Sequence, residues 1–331
     1  MTVINGIEID NITYRHNIIK LALLNNEPIE DKLHVIIVIS NPCLFARRYI
    51  LAREFIKRIE KEESNVELYI VELVYGEQEY ILTDKSNPKH LQLKTDVPLW
   101  HKENMINLGI KYLLPKTWKA FAWIDADIEF ESITWVLDTL KLLNGTFDVV
   151  QVWSHAIDLN KQEKTMQTFS SAGYQYIKNN MKYVEAKQQD YPHPGYAWAC
   201  TRKFYEKIGG LFEKAILGSG DHHMLYCFFG MGKKSVHTGA SEQYKNIIQD
   251  YENKCKNIRF GYVPGVIRHY FHGSKKNRKY SERWDILINH EYEPYEHITH
   301  DDIGILVPTI KCPKGLLDDI IKYFLERNED E

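Results

Sequence analysis

Two carboxylates end an apolar run in residues 121–130, which read FAWIDADIEF. The stretch from Ala120 to Ile124 has no charge and no regular polar alternation, which is typical of a strand buried on both faces. In open α/β sheets, ligands bind at the carboxyl ends of such strands. Alternate residues of an extended segment point the same way, so Asp125 and Asp127 can face one cation. Carboxylate oxygens suit Mg²⁺ or Mn²⁺, and the pattern therefore predicts a metal–diphosphate site.

An Asp-x-Asp pair also has other interpretations, because surface turns carry such pairs freely. A phosphatase that forms an aspartyl-phosphate is one alternative. That chemistry normally places a small hydroxyl or β-branched residue shortly after the second Asp, whereas Glu129 stands there in this chain. The buried strand before the pair therefore favours metal binding.

A second candidate functional segment is glycine-rich and covers residues 218–224, GSGDHHM. Glycine permits backbone conformations that other residues avoid and lets a ligand approach closely. Asp221 is placed to cap a helix over residues 222–229, and capping alone is one interpretation. The functional interpretation is a carboxylate, with His222 or His223 beside it, that faces a cleft and accepts a hydroxyl proton.

Two histidines, His269 and His272, follow a strand-like run that starts at Val266. An imidazole beside two carboxylates is a reasonable ligand set for Mn²⁺. If the segment stays extended, the two rings point to opposite faces, and we expect at most one of them to reach a given metal. A hydrogen-bonded histidine of the core is the other interpretation.

Two further segments have compositions that suit binding of a diphosphate group and of a sugar ring. Residues 274–279 are basic and include Lys275 and Arg278, which diphosphate recognition requires, although a solvated loop has the same composition. Tyr196 and Trp198 lie in a run of small and aromatic residues that suits either a sugar platform or ordinary packing.

The composition narrows the class of protein. The chain has 331 residues and a net charge of -3, which counts against a dedicated nucleic-acid binder. Its five cysteines form no CxxC pair, so we expect free thiols and no structural zinc. The polar N-terminus predicts no signal peptide, and no run reaches about 18 apolar residues. We therefore expect a cytoplasmic protein without a transmembrane anchor.

Strand-like and helical patterns alternate along the first half of the chain, which predicts an α/β fold with a parallel sheet. Strands are expected at 35–39, 66–74, 119–124 and 147–153, and helices at 44–59, 101–114, 132–143 and 222–229. Residues 155–195 are polar with weak periodicity, and we expect a functional loop or a partly helical lid there. A short strand and a helix are expected within 301–325, before an acidic tail.

Together these motifs resemble the GT-A fold of nucleotide-sugar glycosyltransferases, as in the β-1,4-galactosyltransferase family and the family-2-like enzymes, across roughly residues 33–287. Asp125-Ala126-Asp127 is similar to the family's metal-binding Asp-x-Asp. Residues 267–269 and 275–277 are similar to its Ile-Arg-His and Lys-Lys-Asn, in which the histidine ligates Mn²⁺. An insertion that contains His272 separates the two halves here, so the choice between the histidines stays open.

The glycine-rich segment departs from the family's pattern, because Ser219 replaces an aromatic residue and one acidic residue is followed by two histidines. The family's acceptor preference therefore does not transfer to this chain. The resemblance also implies that the first strand ends at the base, near Ser40, and that Lys102 lies near the nucleotide.

The resemblance implies a single Rossmann-like GT-A domain with a mostly parallel central sheet, flanking helices and a smaller acceptor-side sheet. Its parts are an N-terminal appendage (1–30), a nucleotide-sugar-binding half (31–135), an acceptor-binding and catalytic half (136–300), and a C-terminal helix and acidic tail (301–331). The expected metal ligands are Asp125, Asp127, His269 and His272. The expected donor contacts are Ser40, Lys102, Asp125, Ala126, Lys275 and Arg278. The expected acceptor contacts are Trp153, Tyr196, Trp198, Gly218, Ser219, Gly220 and His222.

These features predict a hexosyltransferase-type glycosyltransferase that uses Mn²⁺ or Mg²⁺ and a nucleotide-diphosphate sugar, namely a UDP-sugar. Asp221 would be the base toward a saccharide or glycoconjugate acceptor, with inversion at the anomeric carbon. A retaining mechanism follows instead if Asp221 only caps a helix or orients the acceptor. The alternatives are a metal-dependent phosphohydrolase or nucleotidyltransferase, and a non-catalytic nucleotide-sugar-binding protein of the same fold.

Overall fold

The computed structural model describes residues 3–4, 7–8, 17–184 and 191–331. The strands are β1 (Val3–Ile4), β2 (Ile7–Glu8), β3 (Leu33–Ser40), β4 (Val66–Tyr75), β5 (His90–Thr95), β6 (Ala120–Ile124), β7 (Ile128–Phe130), β8 (Val149–Gln151), β9 (His155–Leu159), β10 (Thr165–Ser171), β11 (Pro192–His193), β12 (Ala197–Thr201), β13 (Phe260–Tyr262), β14 (Val266–His269), β15 (Ile298–His300) and β16 (Leu306–Pro308).

The α-helices are α1 (Asn17–Asn25), α2 (Ala46–Glu62), α3 (Lys102–Leu113), α4 (Trp135–Leu143), α5 (Ala172–Lys178), α6 (Arg202–Ile208), α7 (Gly220–Phe228), α8 (Glu242–Lys254), α9 (Arg283–Asn289), α10 (Pro294–His297) and α11 (Lys314–Glu326). Short 3-10 turns lie at Gly232–Ser235 and Lys275–Arg278.

A seven-stranded sheet with the order β13-β8-β12-β6-β3-β4-β5 forms the centre of the fold. β12 runs antiparallel to both of its neighbours, β6 and β8, while the other strand pairs of this sheet are parallel. Strands from residues 31–135 and from residues 136–300 therefore pair within one sheet. The expected mixed α/β class, with a mostly parallel central sheet and a smaller second sheet, is confirmed.

Helices cover both faces of the central sheet, and β3 shows why. Its sequence, LHVIIVIS, is buried along nearly its whole length. Ile36 belongs to one hydrophobic core, whereas Val35 and Ile37 belong to another, because successive side chains of a strand point to opposite faces. The uninterrupted apolar run is thus the signature of a strand packed on both sides.

A smaller sheet with the order β11-β10-β9-β14-β7 lies beside the ends of the central strands. β14 is antiparallel to β7 and parallel to β9. In this register His269 lies opposite Ile128 on one side and opposite Asp158 on the other. The smaller sheet therefore brings the end of β14 next to the residues that follow β6.

Residues 155–195 differ from the expected loop or lid. β9 and β10 pair as antiparallel strands, and α5 follows them with Ser171 as its N-cap. The polar composition hides these strands because β10 is partly exposed, so its sequence alternates only weakly. Residues 185–190, which belong to the same expected lid, lie outside the described residues.

None of the helices in the described part of the chain combines the length and the apolar character that crossing a bilayer requires.

Candidate metal and donor site

A cavity of about 630 Å³ opens where β3 and β6 end. Its walls come from the loop after β3, the start of α3, the residues after β6 and β14, the start of α7 and the end of the chain's last helix. It brings together most of the residues that the sequence singled out. These lining residues are Ser40, Lys102, Asp125, Ala126, Asp127, Tyr196, Ser219, Asp221, His222, His269, His272, Lys275 and Arg278.

Asp127, His269 and His272 form a cluster in which one ligand atom of each lies within 4.8 Å of the others. The Nε2 atom of His272 is 3.0 Å from Oδ2 of Asp127, and the Nε2 atom of His269 is 3.8 Å from the same oxygen. The two rings are nearly perpendicular, at 82°. The three side chains can therefore direct their donor atoms toward one ion.

The expectation that at most one of the two histidines reaches a metal is wrong in its premise. β14 ends at His269, so His272 lies outside the strand, and the chain bends at the next residue, Gly273. Gly273 has a φ of +83°, a conformation that glycine adopts readily. Because the chain leaves the strand after His269, its side chains need not alternate there, and both rings face Asp127.

One carboxylate oxygen of Asp127 indicates that a divalent cation fits this cluster. Oδ1 of Asp127 is buried and has no hydrogen-bond partner in the described structure, which is costly for a carboxylate oxygen. Burial alone would raise the pKa of Asp127, but His269, His272 and Arg278 outweigh it and hold that pKa below its usual range. An ionised carboxylate with two imidazoles is a donor set that suits a divalent transition-metal ion.

Asp158 orients the first of the two histidines. Its side chain is buried, and its Oδ1 lies 2.7 Å from Nδ1 of His269 and accepts the hydroxyl of Tyr196 at 3.0 Å. Lys275 forms an ion pair with the other carboxylate oxygen. With Nδ1 bonded to a carboxylate, the Nε2 atom of His269 faces Asp127, as in carboxylate–histidine–metal arrangements.

Asp125 takes a different place from Asp127. Its carboxylate forms an ion pair with Lys102 at the start of α3. Burial would lower the pKa of Lys102, but Asp125, Asp221 and Glu103 outweigh it and raise that pKa. Asp125 is absent from the metal-ligand cluster found among the described residues, and it holds the lysine ammonium inside the cavity instead.

Asp221 lies one position inside α7, so it is not the N-cap residue that capping alone would predict. Ser219 is the N-cap, with a φ of +77° and no side-chain hydrogen bond. The Oδ1 atom of Asp221 accepts only from the backbone N–H of the next residue, at 2.8 Å, among the contacts of the described residues. A Cβ at Gly220 would lie 2.4 Å from the Glu103 carboxyl, so glycine allows α7 to approach α3 and directs Asp221 into the cavity.

Four of the expected acceptor contacts lie away from the cavity lining. Trp153 and Trp198 are buried in the core, where Trp198 stacks on Trp123 at 6.0 Å and donates its Nε1–H to Pro194. Gly218 and Gly220 shape the turn before α7 but are not among the lining residues. The tryptophans cannot offer a ring face to a sugar, because core side chains of the sheet cover them.

Sequence reasoning missed several charged residues that the cavity contains. Glu103 is buried beside Lys102, Arg48 lies on the first turn of α2, and Glu329 comes from what was expected to be an acidic tail. Asp158, which lies behind His269 and not on the cavity lining, was missed as well, although a carboxylate between Ile157 and Leu159 was an available signal. The other three have no local signal, because each is a charged residue in an ordinary amphipathic or polar segment.

No protein-family profile matches this chain, and no curated protein matches it. The solved structures that are similar to it include the three that follow. A mannosyltransferase from Pyrobaculum calidifontis, in complex with GDP-Man and Mn²⁺, is 12% identical with a TM-score of 0.38, over 84% of this chain and 70% of that one. A Drosophila β-1,4-galactosyltransferase 7 mutant, in complex with manganese, UDP-Gal and xylobiose, is 8% identical with a TM-score of 0.37, over 85% and 94%.

The third is a nucleotide-diphospho-sugar transferase, described as putative, from Desulfovibrio desulfuricans G20. It is 9% identical with a TM-score of 0.31, over 72% of this chain and 82% of that one. At these identities and TM-scores, the function proposed below rests on the site residues of this chain.

Proposed function

We propose that this protein is a metal-dependent glycosyltransferase that moves a sugar from a nucleotide-diphosphate sugar, specifically a UDP-sugar, to an acceptor hydroxyl. The observation that carries the proposal is the orphaned, buried Oδ1 of Asp127 beside His269 and His272. A buried carboxylate oxygen without a partner, next to two imidazoles, is an arrangement that a bound cation would satisfy. The cavity around it supplies positive side chains and room for a ligand.

Asp127, His269 and His272 would hold Mn²⁺, which when bound would supply Lewis-acid stabilisation of the charge on a diphosphate leaving group. Lys102, Lys275 and Arg278 line the same cavity and carry positive charge. They would bind the phosphate oxygens and orient the donor, because guanidinium and ammonium groups donate charge-assisted hydrogen bonds to phosphate.

Asp221 is the proposed general base. Its carboxylate lines the cavity, is partly exposed, and has few competing hydrogen bonds. It would accept the proton of the acceptor hydroxyl as that oxygen attacks the anomeric carbon, while the bond to the diphosphate breaks. Attack from the side opposite the leaving group inverts the configuration at that carbon.

Aromatic side chains in the cavity support a saccharide as the acceptor. Tyr191, Phe169, Tyr280 and Trp284 line it together with His193. Rings of this kind pack well against the apolar faces of sugars, and their polar edges reach hydroxyl groups. The acceptor proposed on this basis is a saccharide or a glycoconjugate.

The test of the proposal is an Asp127→Ala variant. We expect it to lose calorimetric binding of Mn²⁺ and at least about a hundredfold in sugar transfer from UDP-sugars, because Lewis-acid stabilisation contributes several kcal/mol. Asp302→Ala, at an exposed residue, is the matched control and should behave as the wild type.

Transfer is measured with a panel of UDP-, GDP- and dTDP-sugars and saccharide acceptors. Wild-type turnover by the Asp127→Ala variant would refute the metal role. Release of free phosphate or free sugar at the same rate with and without acceptor would indicate a hydrolase instead.

A further inference from the structure

Residues Arg327–Asp330, which we name the strap, cross the donor site after α11. The carboxylate of Asp330 accepts the backbone N–H of Ala46 at 3.0 Å and that of Arg47 at 2.8 Å. These amides begin α2, whose own N-cap residue, Phe45, provides no side-chain acceptor. The strap therefore supplies the cap that α2 lacks, which fixes the strap against this helix.

Glu329 is the central residue of the strap and is only 2% exposed. Its Oε1 accepts from Nη2 of Arg48 at 2.8 Å and from Nε of Arg327 at 2.7 Å, and its Oε2 accepts from Nε of Arg48. These hydrogen bonds from two guanidinium groups fix the carboxylate in position.

His272 lies between this carboxylate and the metal-ligand cluster. Its Nδ1 is 3.5 Å from Oε2 of Glu329, while Nη2 of Arg278 is 2.8 Å from its Nε2. A guanidinium group can only donate, so we assign the lone pair to Nε2 and the proton to Nδ1. The Nδ1 proton then faces Glu329. The Nε2 lone pair accepts from Arg278 in this structure and lies on the side of the ring where Asp127 lies, so a bound ion would take the place of the Arg278 contact.

The backbone of the strap packs directly on the turn that carries His272. A Cβ at Gly273 would lie 2.9 Å from Cα of Glu329 and 3.0 Å from the carbonyl oxygen of Asn328. Since Gly273 also has a φ of +83°, glycine meets both requirements of this turn. The position of the strap and the position of the histidine ring are therefore coupled through direct contact.

We propose that Glu329 is a positioning residue of the metal centre. Its carboxylate lies 3.5 Å from Nδ1 of His272 and would accept the Nδ1 proton when the ion is bound, which would keep the Nε2 lone pair directed at the ion. The two metal-binding histidines would then each have a carboxylate behind them, one from the smaller sheet and one from the strap. This inference rests on the proposed function, because it assigns a role within that metal site.

The experiment compares Mn²⁺ dissociation constants from calorimetry without nucleotide, at a temperature at which circular dichroism shows all variants folded. We expect Glu329→Gln to weaken Mn²⁺ binding by about 10–100-fold, the usual effect of removing a partner behind a metal ligand. Glu331→Gln makes the same change at an exposed residue two positions later and should leave the affinity unchanged.

A double-mutant cycle separates positioning from a merely structural role. In a His272→Ala background, Glu329→Gln should no longer change the residual Mn²⁺ affinity, because the residue acts through that ring. An equal loss of affinity in both backgrounds, or affinity within twofold of the wild type for Glu329→Gln alone, would overturn the inference and leave the proposed function standing. Absence of Mn²⁺ binding by the wild type would overturn both.

Discussion

Carboxyl groups in the same cavity differ in their chemistry because their immediate neighbours differ. Burial opposes ionisation of both Asp127 and Glu103. For Asp127 the nearby histidines and Arg278 reverse this effect and lower its pKa. For Glu103 burial dominates over Lys102 and raises the pKa to about 7. A buried carboxyl group is thus a fixed negative charge in one position and a titrating group in the other.

Asp221 is the residue whose removal tests the chemical step. We expect Asp221→Asn to keep Mn²⁺ and donor binding and to lower transfer by about 10²–10⁴-fold, the usual contribution of general base catalysis. Binding is measured by calorimetry with Mn²⁺ and UDP, and transfer by product formation. Asp302→Asn, at an exposed residue, is the matched control. Transfer at the wild-type rate would mean that another group accepts the proton.

At the scale of elements, the first turn of α3 places Lys102 and Glu103 in the cavity. A helix N-terminus favours a negative charge, yet the buried position of Glu103 outweighs this effect and raises its pKa from 4.5 to about 7. A raised carboxyl pKa contributes stability at low pH that is lost as the pH rises. The contribution is complete below about pH 4.5 and is lost as the pH passes about 7.

We therefore expect Glu103→Gln, which does not titrate, to gain stability relative to the wild type across this window, by up to about 3 kcal/mol. Free energies of unfolding in urea at pH 5 and pH 8 measure the difference. Glu54→Gln, at an exposed residue of α2, is the control. The prediction fails if the stability difference between Glu103→Gln and the wild type is the same at both pH values.

At the scale of the whole molecule, the cavity joins parts of both sheets, so a ligand that fills it should stabilise the entire fold. Binding to the native state alone adds about 2.7 kcal/mol at a ligand concentration of 100 Kd. We expect Mn²⁺ with UDP to raise the Tm by several degrees, and UDP without Mn²⁺ to raise it far less.

Differential scanning fluorimetry with UDP and GDP, each with and without Mn²⁺, measures this effect. The Asp127→Ala variant is the control and should show no dependence on Mn²⁺. A Tm that rises equally with and without Mn²⁺ would contradict the metal-bridged diphosphate. A larger shift with GDP than with UDP would contradict the proposed uridine donor.

Much of the fold could be predicted from the sequence because its strongest signals are local. The apolar runs at β3 and β6 predict strands buried on both faces, and both strands lie at the centre of the main sheet. The apolar residues at spacings of three and four along α2 predict a helix, and Tyr49, Ala52 and Ile59 of that stripe are buried. Each pattern is complete within a single element.

The parts of the site that the sequence did not predict depend on contacts between distant segments. Asp158 reaches His269 because β9 and β14 pair in register, although the two residues are 111 positions apart. Glu329 and Arg48 meet across 281 positions. No periodicity within either segment encodes such a contact, because register and docking are set only when the elements pack together.

The cap that Asp330 places on α2 has a consequence for the order in which the molecule assembles. It joins residues 284 positions apart, so nearly the whole polypeptide must be arranged before this contact exists. Closing a loop of that length costs chain entropy before the contact can stabilise the fold. Such contacts therefore form late in folding. During refolding, the cavity where β3 and β6 end would therefore form before Glu329 and Asp330 reach their places beside it.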